Sequence, residues 1–245
     1  MGSGGSGTIF FAYCNLRCCF CQNYGISQMG DGHSVEAREL AGMMLSLERK
    51  GCHNINFVSP THVVPQILEA VELAAEAGLT VPLVYNSGGY DSVDTLRLLD
   101  GVFDIYMPDM KYSDEAVARR FSGIDGYPAM NRAAVAEMHR QAGDLQTDEQ
   151  GVATRGLLVR HLVLPHGLAG TREVCLFLAE RVSRNTYVNV MAQYRPCHRA
   201  SGFPDLARPI SGEEFNEAVG LAHECGLKRL DRFEARPFAR LIMGT

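Results

Sequence analysis

The feature that most constrains the fold of this chain is the alternation of short apolar segments with longer amphipathic ones. Segments rich in β-branched and aromatic residues predict strands at residues 8–13, 54–59, 81–85, 103–107, 156–164 and 187–191. Between them lie segments whose apolar residues recur at helical spacing. Strands that alternate with helices in this way predict a parallel sheet with right-handed crossover connections.

Six such units predict an α/β fold, namely an open (β/α)6 partial TIM-type barrel. Helices are predicted at residues 35–50, 65–77, 92–99, 114–141 (broken near 126–128), 171–182 and 211–224, with a short last strand at 227–230. A doubly wound sheet has the same periodicity and stays open as the alternative. Polar residues follow nearly every predicted strand, which favours the barrel, because barrel active sites are built at those strand ends.

Length and composition restrict the domain organisation and the class of partner. The 245 residues suit one domain, predicted over residues 8–245, and the Gly/Ser-rich residues 1–7 are typical of an added linker. A net charge of −5 argues against a nucleic-acid partner. No apolar run reaches the roughly 18–20 residues of a membrane span, so no membrane partner is expected. No signal peptide pattern is present, and the cysteines outside one cluster are scattered singly, so we expect free thiols in the cytoplasm.

Four of the eight cysteines lie within eight residues, directly after the first predicted strand. Cys14, Cys18 and Cys21 have the spacing C-x3-C-x2-C, and Phe20 precedes the last of them. Thiolates are soft ligands that suit iron–sulfur clusters and zinc. Three of them can hold three irons of a cubane cluster and leave the fourth iron open, with Cys19 as the spare cysteine. A structural zinc site is the alternative, but such sites usually have a fourth ligand and paired CxxC units, and no second CxxC follows.

The cysteine segment resembles the radical S-adenosylmethionine (SAM) superfamily, whose hallmark is C-x3-C-x-aromatic-C. The amino-acid sequence of residues 14–23 is similar to that of the branch related to the pyruvate formate-lyase activating enzyme. The resemblance implies the partial barrel, a 4Fe–4S cluster on Cys14, Cys18 and Cys21, and SAM chelated by its amine and carboxylate at the open iron. One electron from the cluster then cleaves SAM to methionine and a 5′-deoxyadenosyl radical, which abstracts hydrogen from a substrate.

The resemblance also implies partners. If it extends to the reaction, the substrate is a glycyl residue of a partner enzyme, and an electron donor such as flavodoxin or ferredoxin supplies the electron. A radical SAM enzyme that acts on a small molecule or peptide is a second hypothesis. A third, from another class, is a non-catalytic zinc-binding or electron-carrying domain, which one zinc and no labile sulfide would support.

The segment after the second predicted strand departs from the family pattern. The family usually has a Gly-Gly-Glu motif there, which binds the amine of SAM, whereas this chain has Ser59, Thr61 and His62 around a proline. We predict that these three side chains supply acceptors for SAM instead. The alternative is that Ser59 and Thr61 only cap the next helix.

Two further strand ends carry residues that match the family. Asn86 and Ser87 stand where activating enzymes have Asp-Thr-Asn-Gly, near the ribose and methionine of SAM, although a plain turn stays open as an alternative. Asp109 and Lys111 resemble the Asp-x-Lys of activating enzymes. Lys111 would pair with the SAM carboxylate and joins the three cysteines in the predicted catalytic set, while Asp109 would orient it. The alternative is a surface ion pair, which contributes little.

Two residues on the last long strands complete the predicted site. Arg160 interrupts an apolar strand that should be buried on both faces, so it needs a partner, and the SAM carboxylate or ribose is available. Gln193 follows the sixth predicted strand and should lie at the mouth of the barrel. Together with Phe20, these residues complete the set predicted to contact the cofactors.

Overall fold

The computed structural model describes residues 4–231 and contains one open sheet. Its strands are β1 Gly7–Phe10, β2 Ile55–Val58, β3 Leu83–Asn86, β4 Ile105–Tyr106, β5 Gln146–Thr147, β6 Ala153–Leu162, β7 Tyr187–Met191 and β8 Arg229–Leu230. The order across the sheet is β1-β2-β3-β4-β6-β7-β8, and every neighbouring pair along it is parallel. β5 alone is antiparallel and pairs with β6. The predicted open α/β barrel is therefore confirmed, and β8 lies within the short last strand predicted at residues 227–230.

Helices follow the strands along the chain, as the periodicity predicts. They are α1 Tyr24–Met29, α2 Ala37–Arg49, α3 Val64–Glu76, α4 Val93–Leu98, α5 Glu115–Ser122, α6 Tyr127–Ala142, α7 Thr171–Phe177 (continued by a π-helical turn, Leu178–Val182) and α8 Gly212–Glu224. Ser211 caps α8 in a complete capping box with Glu214. No helix within residues 4–231 has both the length and the apolar character that a membrane span requires.

The helices cover the outer face of the sheet and enclose the main apolar core. Successive side chains of a strand point to opposite faces, and Ile55 and Phe57 of β2 are fully buried in this core. Met44 of α2, Ile67 of α3 and Tyr85 of β3 are buried with them. Burial of each such side chain contributes about 1.5–3 kcal/mol, so this layer fixes the positions of the strands.

The inner face of the sheet changes character from strand to strand. Thr8, Asn56, Val84 and Ile105 are register partners on β1 to β4 and form one layer across the sheet. On β3 and β4, Val84 and Ile105 join Leu145 in a small buried apolar cluster. On β1 and β2, Thr8 and Asn56 line a cavity. Bulky branched residues fill the interior of most closed barrels, so the two polar residues make this side of the barrel suited to a polar ligand.

The first strand differs from its prediction at both ends. Gly7 already pairs with Ile55, and the chain leaves the sheet after Phe10 rather than at residue 13. Residues predicted as linker contact the fold before that: the Gly4 amide donates to His53 Nε2 at 2.9 Å. Residues 1–3 and 232–245, which belong to the predicted linker and to the end of the predicted domain, lie outside the described residues.

Candidate active site

A cavity of about 420 Å³ lies at the carboxyl ends of the strands, beneath the cysteine segment. All but two of the predicted site residues line it: Cys14, Cys18, Phe20, Cys21, Ser59, Asn86, Ser87, Asp109, Lys111, Arg160 and Gln193. Residues that are distant in sequence meet here because parallel strands all end at one edge of the sheet. The topology thus assembles most of the predicted site in one place.

Each of the three predicted thiolate ligands has a polar neighbour at its sulfur. Cys14 Sγ accepts a hydrogen bond from the Leu16 amide at 3.4 Å. Cys18 Sγ accepts from Ser122 Oγ at 3.0 Å, and Cys21 Sγ lies 3.1 Å from Ser27 Oγ. Hydrogen bonds to sulfur are one means by which a protein tunes an iron–sulfur cluster.

The other two cysteines lie within electrostatic range of Cys18. Burial raises the pKa of the Cys18 thiol to about 11; the positive charge of Lys111 opposes this, and the charges of Cys14 and Cys21 add to it. A bound metal would reverse this effect, since coordination deprotonates a thiol outright. All three cysteines are free, with no disulfide among them.

The chemistry of these thiols suits an iron–sulfur cluster. Three cysteines line the cavity, whereas a structural zinc site usually has four protein ligands. A cubane presents a separate iron to each thiolate, so three thiolates suffice to hold one with a single iron left open. Cys19 does not line the cavity; it is 2% exposed and packs in an apolar cluster. The donor set available to a cluster is therefore Cys14, Cys18 and Cys21.

Phe20 and Gln193 differ in burial within this cavity. Phe20 is buried and meets Tyr112 and Tyr194 edge-on, with ring centroids 6.3 Å and 5.8 Å away. Gln193 is exposed, and its carbonyl accepts a hydrogen bond from Gln22 Nε2 at 3.2 Å. Phe20 thus anchors the cysteine loop in the core, and Gln193 lies at the mouth, as predicted.

A buried carboxylate with two cations lies in the same cavity as the thiols. Lys111 Nζ donates to Asp109 Oδ2 at 2.6 Å, and Arg160 Nη2 lies 2.7 Å from Asp109 Oδ1. Burial alone would raise the pKa of Asp109, but the charges of Arg160 and Lys111 lower it. Burial opposes the charge on Lys111 too, yet Asp109 raises its pKa overall. Two cations share one anion, so this group carries a surplus positive charge that suits a carboxylate ligand.

Arg160 has a protein partner that the sequence analysis did not name. It forms an ion pair with Asp109 from the end of the neighbouring strand, and its contact with a cofactor carboxylate or ribose stays a prediction. Arg160 Nε still has no hydrogen-bond partner in the described part of the chain. Arg160 therefore retains a free donor inside the cavity.

Thr61 and His62 are the two predicted site residues that do not line the cavity. Thr61 Oγ1 donates instead to Asp91 Oδ1 at 2.7 Å, and His62 Nε2 bonds to the carbonyl of Ala12 at 2.8 Å. The prediction that they supply acceptors to the cavity is corrected, because both side chains are engaged in holding neighbouring loops. Ser59 does line the cavity, with a left-handed φ of 58°.

Asp91 is a buried carboxylate that the sequence did not single out. It accepts hydrogen bonds from Thr61, from Tyr85 Oη at 2.9 Å and from Ser87 Oγ at 2.6 Å. Ser87 Oγ in turn accepts from the Gly89 amide at 3.1 Å. Asp91 thus fixes the loops after β2 and β3, and its only sequence signal was its place after a pair of glycines.

Two polar residues of the cavity were also missed, namely Thr8 and Asn56. Asn56 stands between buried Ile55 and Phe57 on β2, and its Oδ1 is buried without a hydrogen-bond partner. A polar residue inside an otherwise apolar parallel strand was the available signal. Asn86 Oδ1 on the adjacent strand is likewise buried and unpaired. The cavity therefore offers acceptors that the described protein atoms do not use.

Gly89→Ala should strongly destabilise the fold at this site. Gly89 has φ +74°, and a Cβ there would overlap the Asp109 carbonyl and the Asn131 side chain. We expect a loss of about 3 kcal/mol in the free energy of unfolding, from left-handed strain and overpacking. Gly101→Ala is the matched control, because Gly101 has φ +82° and no atom within 4 Å of a Cβ. It should lose only about 1–2 kcal/mol in urea unfolding; equal losses would contradict the clash.

Comparison with known proteins identifies the family. Residues 8–144 match the family model described as "Radical SAM superfamily", which covers more than half of the chain. The chain belongs to the radical SAM superfamily. This family uses a 4Fe–4S cluster and SAM, and the residues in the cavity fit both cofactors.

One curated relative and two solved structures show how far the likeness to other radical SAM proteins extends. An uncharacterized protein of Methanocaldococcus jannaschii is 32% identical over 232 residues, which cover 91% of this chain and 63% of that protein. HydG, a maturase of the FeFe-hydrogenase, shares the fold with a TM-score of 0.59 at 12% identity, over 90% of this chain and 49% of its own. A domain of a pyruvate formate-lyase-activating enzyme from Bacteroides vulgatus has a TM-score of 0.50 at 13% identity, over 72% of this chain and 97% of its own. The two structures support the fold alone.

Proposed function

We propose that this radical SAM enzyme cleaves SAM reductively and abstracts a hydrogen atom from a glycyl residue of a partner protein. When bound, the cluster and SAM supply an electron and a 5′-deoxyadenosyl radical. The observation that carries the proposal is that three free thiols and a surplus cationic group line the same cavity. The thiols would hold the cluster, and the cationic group would hold the SAM carboxylate.

The chain's own residues divide this work by their chemistry. Cys14, Cys18 and Cys21 would bind iron through their thiolates, each already next to a hydrogen-bonding group. Lys111 and Arg160 would bind the SAM carboxylate through charge-assisted hydrogen bonds, which are roughly twice as strong as neutral ones. Asp109 positions both cations, because it contacts each of them.

A peptide substrate is supported by the unpaired amides of the cavity. Asn56 and Asn86 each present a buried Oδ1 without a partner, and a peptide N–H group is a donor of the kind they lack. An unpaired buried acceptor costs about 1–3 kcal/mol of free energy. A substrate that donates hydrogen bonds to these acceptors would remove that cost. Phe10 and Tyr13 at the β1 edge are 46% and 60% exposed, which suits contact with a protein.

A small polar molecule is the second candidate substrate. Hydroxyl groups would satisfy the same amide acceptors. Unlike a partner protein, a small molecule needs no contact with the outer surface of the barrel.

Deuterium transfer distinguishes the two candidate substrates. Reconstituted, reduced enzyme and unlabelled SAM are incubated with the protein fraction of cells grown on 2,2-dideuterated glycine, or with the small-molecule fraction of cells grown in D₂O. The proposal predicts monodeuterated 5′-deoxyadenosine, measured by mass spectrometry, with the protein fraction. Label from the small-molecule fraction alone would favour the second candidate. Cys18→Ala is the control and should transfer no label from either fraction.

We also propose that the protein works in the cytoplasm. All eight cysteines are free thiols, and thiolate ligands of a cluster must stay reduced. An oxidising compartment would pair such thiols.

A further inference from the structure

Two buried polar side chains of α6, here called the α6 clamp, contact the backbone that carries the charged residues of the cavity. Tyr127 and Asn131 are one helical turn apart, so they lie on the same side of α6. Both are 0% exposed, and neither lines the cavity itself. Burial of a hydroxyl or an amide group is unfavourable unless the group forms hydrogen bonds. The partners of the α6 clamp therefore account for its place in the core.

Tyr127 bonds to the loops that follow β3 and β4. Its Oη accepts a hydrogen bond from the Lys111 amide at 3.0 Å. It lies 2.9 Å from the carbonyl of Gly88 and 3.2 Å from the carbonyl of Asp109. A phenol has one hydrogen, which these two carbonyls share. Burial raises the pKa of Tyr127 well above its ordinary value of 10, so the phenol keeps this hydrogen at neutral pH.

The side-chain amide of Asn131 joins the same two loops. Its Nδ2 donates to the carbonyl of Gly89 and to the carbonyl of Asp109, each at 2.9 Å. Both partners are acceptors, so both hydrogens of the amide group are used. The loop after β3 and the loop after β4 are thus fixed to each other through one helix.

The α6 clamp acts where the hydrogen-bond ladder of β4 has ended. β4 ends at Tyr106, so Asp109 and Lys111 lie beyond the regular strand. On the side of the sheet, the Asp109 amide donates to the carbonyl of Ser87 at 3.0 Å. On the other side, the α6 clamp holds the Asp109 carbonyl and the Lys111 amide. The side chains of Asp109 and Lys111 are only 13% and 17% exposed, so a shift of this backbone would move their charged atoms.

We propose that the α6 clamp positions Asp109 and Lys111 to bind the carboxylate of SAM. The inference rests on the proposed function, in which Lys111 and Arg160 bind that carboxylate. Charge-assisted hydrogen bonds are short and directional, so two cations bind one carboxylate well only at the right separation. Loss of the α6 clamp should therefore weaken SAM binding without removing any group that contacts SAM.

Tyr127→Phe and Asn131→Leu test this proposal in the reconstituted holoenzyme. Each variant keeps the shape of its side chain and loses the hydrogen-bonding groups. The dissociation constant of SAM, measured by anaerobic calorimetry on the oxidised enzyme, should rise about tenfold in each, since a small displacement of binding groups can have effects up to about a hundredfold. KM for SAM should rise with it while kcat changes little, because the lost binding is common to substrate and transition state.

Tyr106→Phe is the matched control for a purely structural effect. Tyr106 belongs to β4 and is fully buried, but its hydroxyl bonds to Gln141 and to the carbonyl of Leu99 in the main core. Its loss should lower the urea midpoint as Tyr127→Phe does, yet leave the dissociation constant and KM for SAM unchanged. Iron and labile sulfide contents should match wild type in all three variants, which shows that the cysteine site is intact.

The binding measurements separate three results. The proposal is overturned if Tyr127→Phe and Asn131→Leu bind SAM like wild type, or if Tyr106→Phe weakens binding as much as they do. If Asn131→Leu does not fold, Tyr127→Phe alone decides. A wild-type protein that binds no SAM would instead refute the proposed function.

Discussion

Cys18→Ala is expected to abolish cluster assembly, leaving close to no bound iron or labile sulfide after anaerobic reconstitution. Cys18 is the most enclosed of the three thiols, with its sulfur hydrogen-bonded to Ser122 and under the influence of Cys14, Cys21 and Lys111. In the wild type, one iron of a cubane would have no protein thiolate. Losing one of the three ligands would leave two irons without one. Cys14→Ala and Cys21→Ala should have the same effect on iron and sulfide content and on the brown absorption of the protein.

Cys19→Ala is the matched control for this prediction. Cys19 adjoins Cys18 in sequence and is buried in the same apolar cluster, but unlike Cys18 it does not line the cavity. Its replacement should keep the full iron and sulfide content. If Cys19→Ala lost the cluster while Cys18→Ala kept it, the ligand set would be wrong.

Asp109→Ala is expected to cost about 3–5 kcal/mol of unfolding free energy in the metal-free protein. Asp109 is the only carboxylate that contacts Lys111 and Arg160 within residues 4–231, and its side chain is 13% exposed. Removing it leaves two cations, themselves 17% and 26% exposed, to repel each other without compensation. Urea unfolding at neutral pH under anaerobic conditions measures the loss.

The control for Asp109→Ala is a carboxylate in an exposed ion pair. Asp94 bonds Arg97 at 2.9 Å, but the two side chains are 89% and 64% exposed. Asp94→Ala should change the free energy of unfolding by no more than about 0.5 kcal/mol. A loss below 1 kcal/mol for Asp109→Ala would contradict the buried, shared carboxylate.

The contribution of Asp109 should also depend on pH with a defined sign. Its pKa is lowered in the folded protein from an ordinary value of 3.8, so folding favours the ionised form. The stabilisation is therefore fully present above about pH 4 and is lost as the pH falls through the lower, folded pKa. The stability difference between wild type and Asp109→Asn should narrow below pH 4.

The sequence predicted the barrel because its signals are local. A strand such as β3 or β7 is recognised from a few adjacent apolar residues, and the parallel order follows from the intervening helices. The antiparallel β5 was missed, since two exposed residues, Gln146 and Thr147, carry no such signal. Gly7 was assigned to a linker from composition, although the strand begins there.

The sequence singled out those cavity residues that lie in short motifs or directly after a predicted strand. The three cysteines, Lys111 and Asp109 lie within short motifs, so their spacing was enough. The partner of Arg160 comes from another strand, and the acceptor of Thr61 from another loop, and no local pattern encodes such pairs. Asp91 was missed for the same reason, because its role arises only when three hydroxyl groups converge on it.

Formation of 5′-deoxyadenosine tests most directly whether the three thiols hold a cluster that leaves one iron open to SAM. The protein is reconstituted anaerobically, reduced with dithionite and incubated with SAM, and the products are measured by chromatography and mass spectrometry. We predict 5′-deoxyadenosine and methionine in equal amounts from wild type and Cys19→Ala, and neither from Cys18→Ala. A wild-type protein that contains one zinc, no labile sulfide and yields no 5′-deoxyadenosine would contradict this assignment.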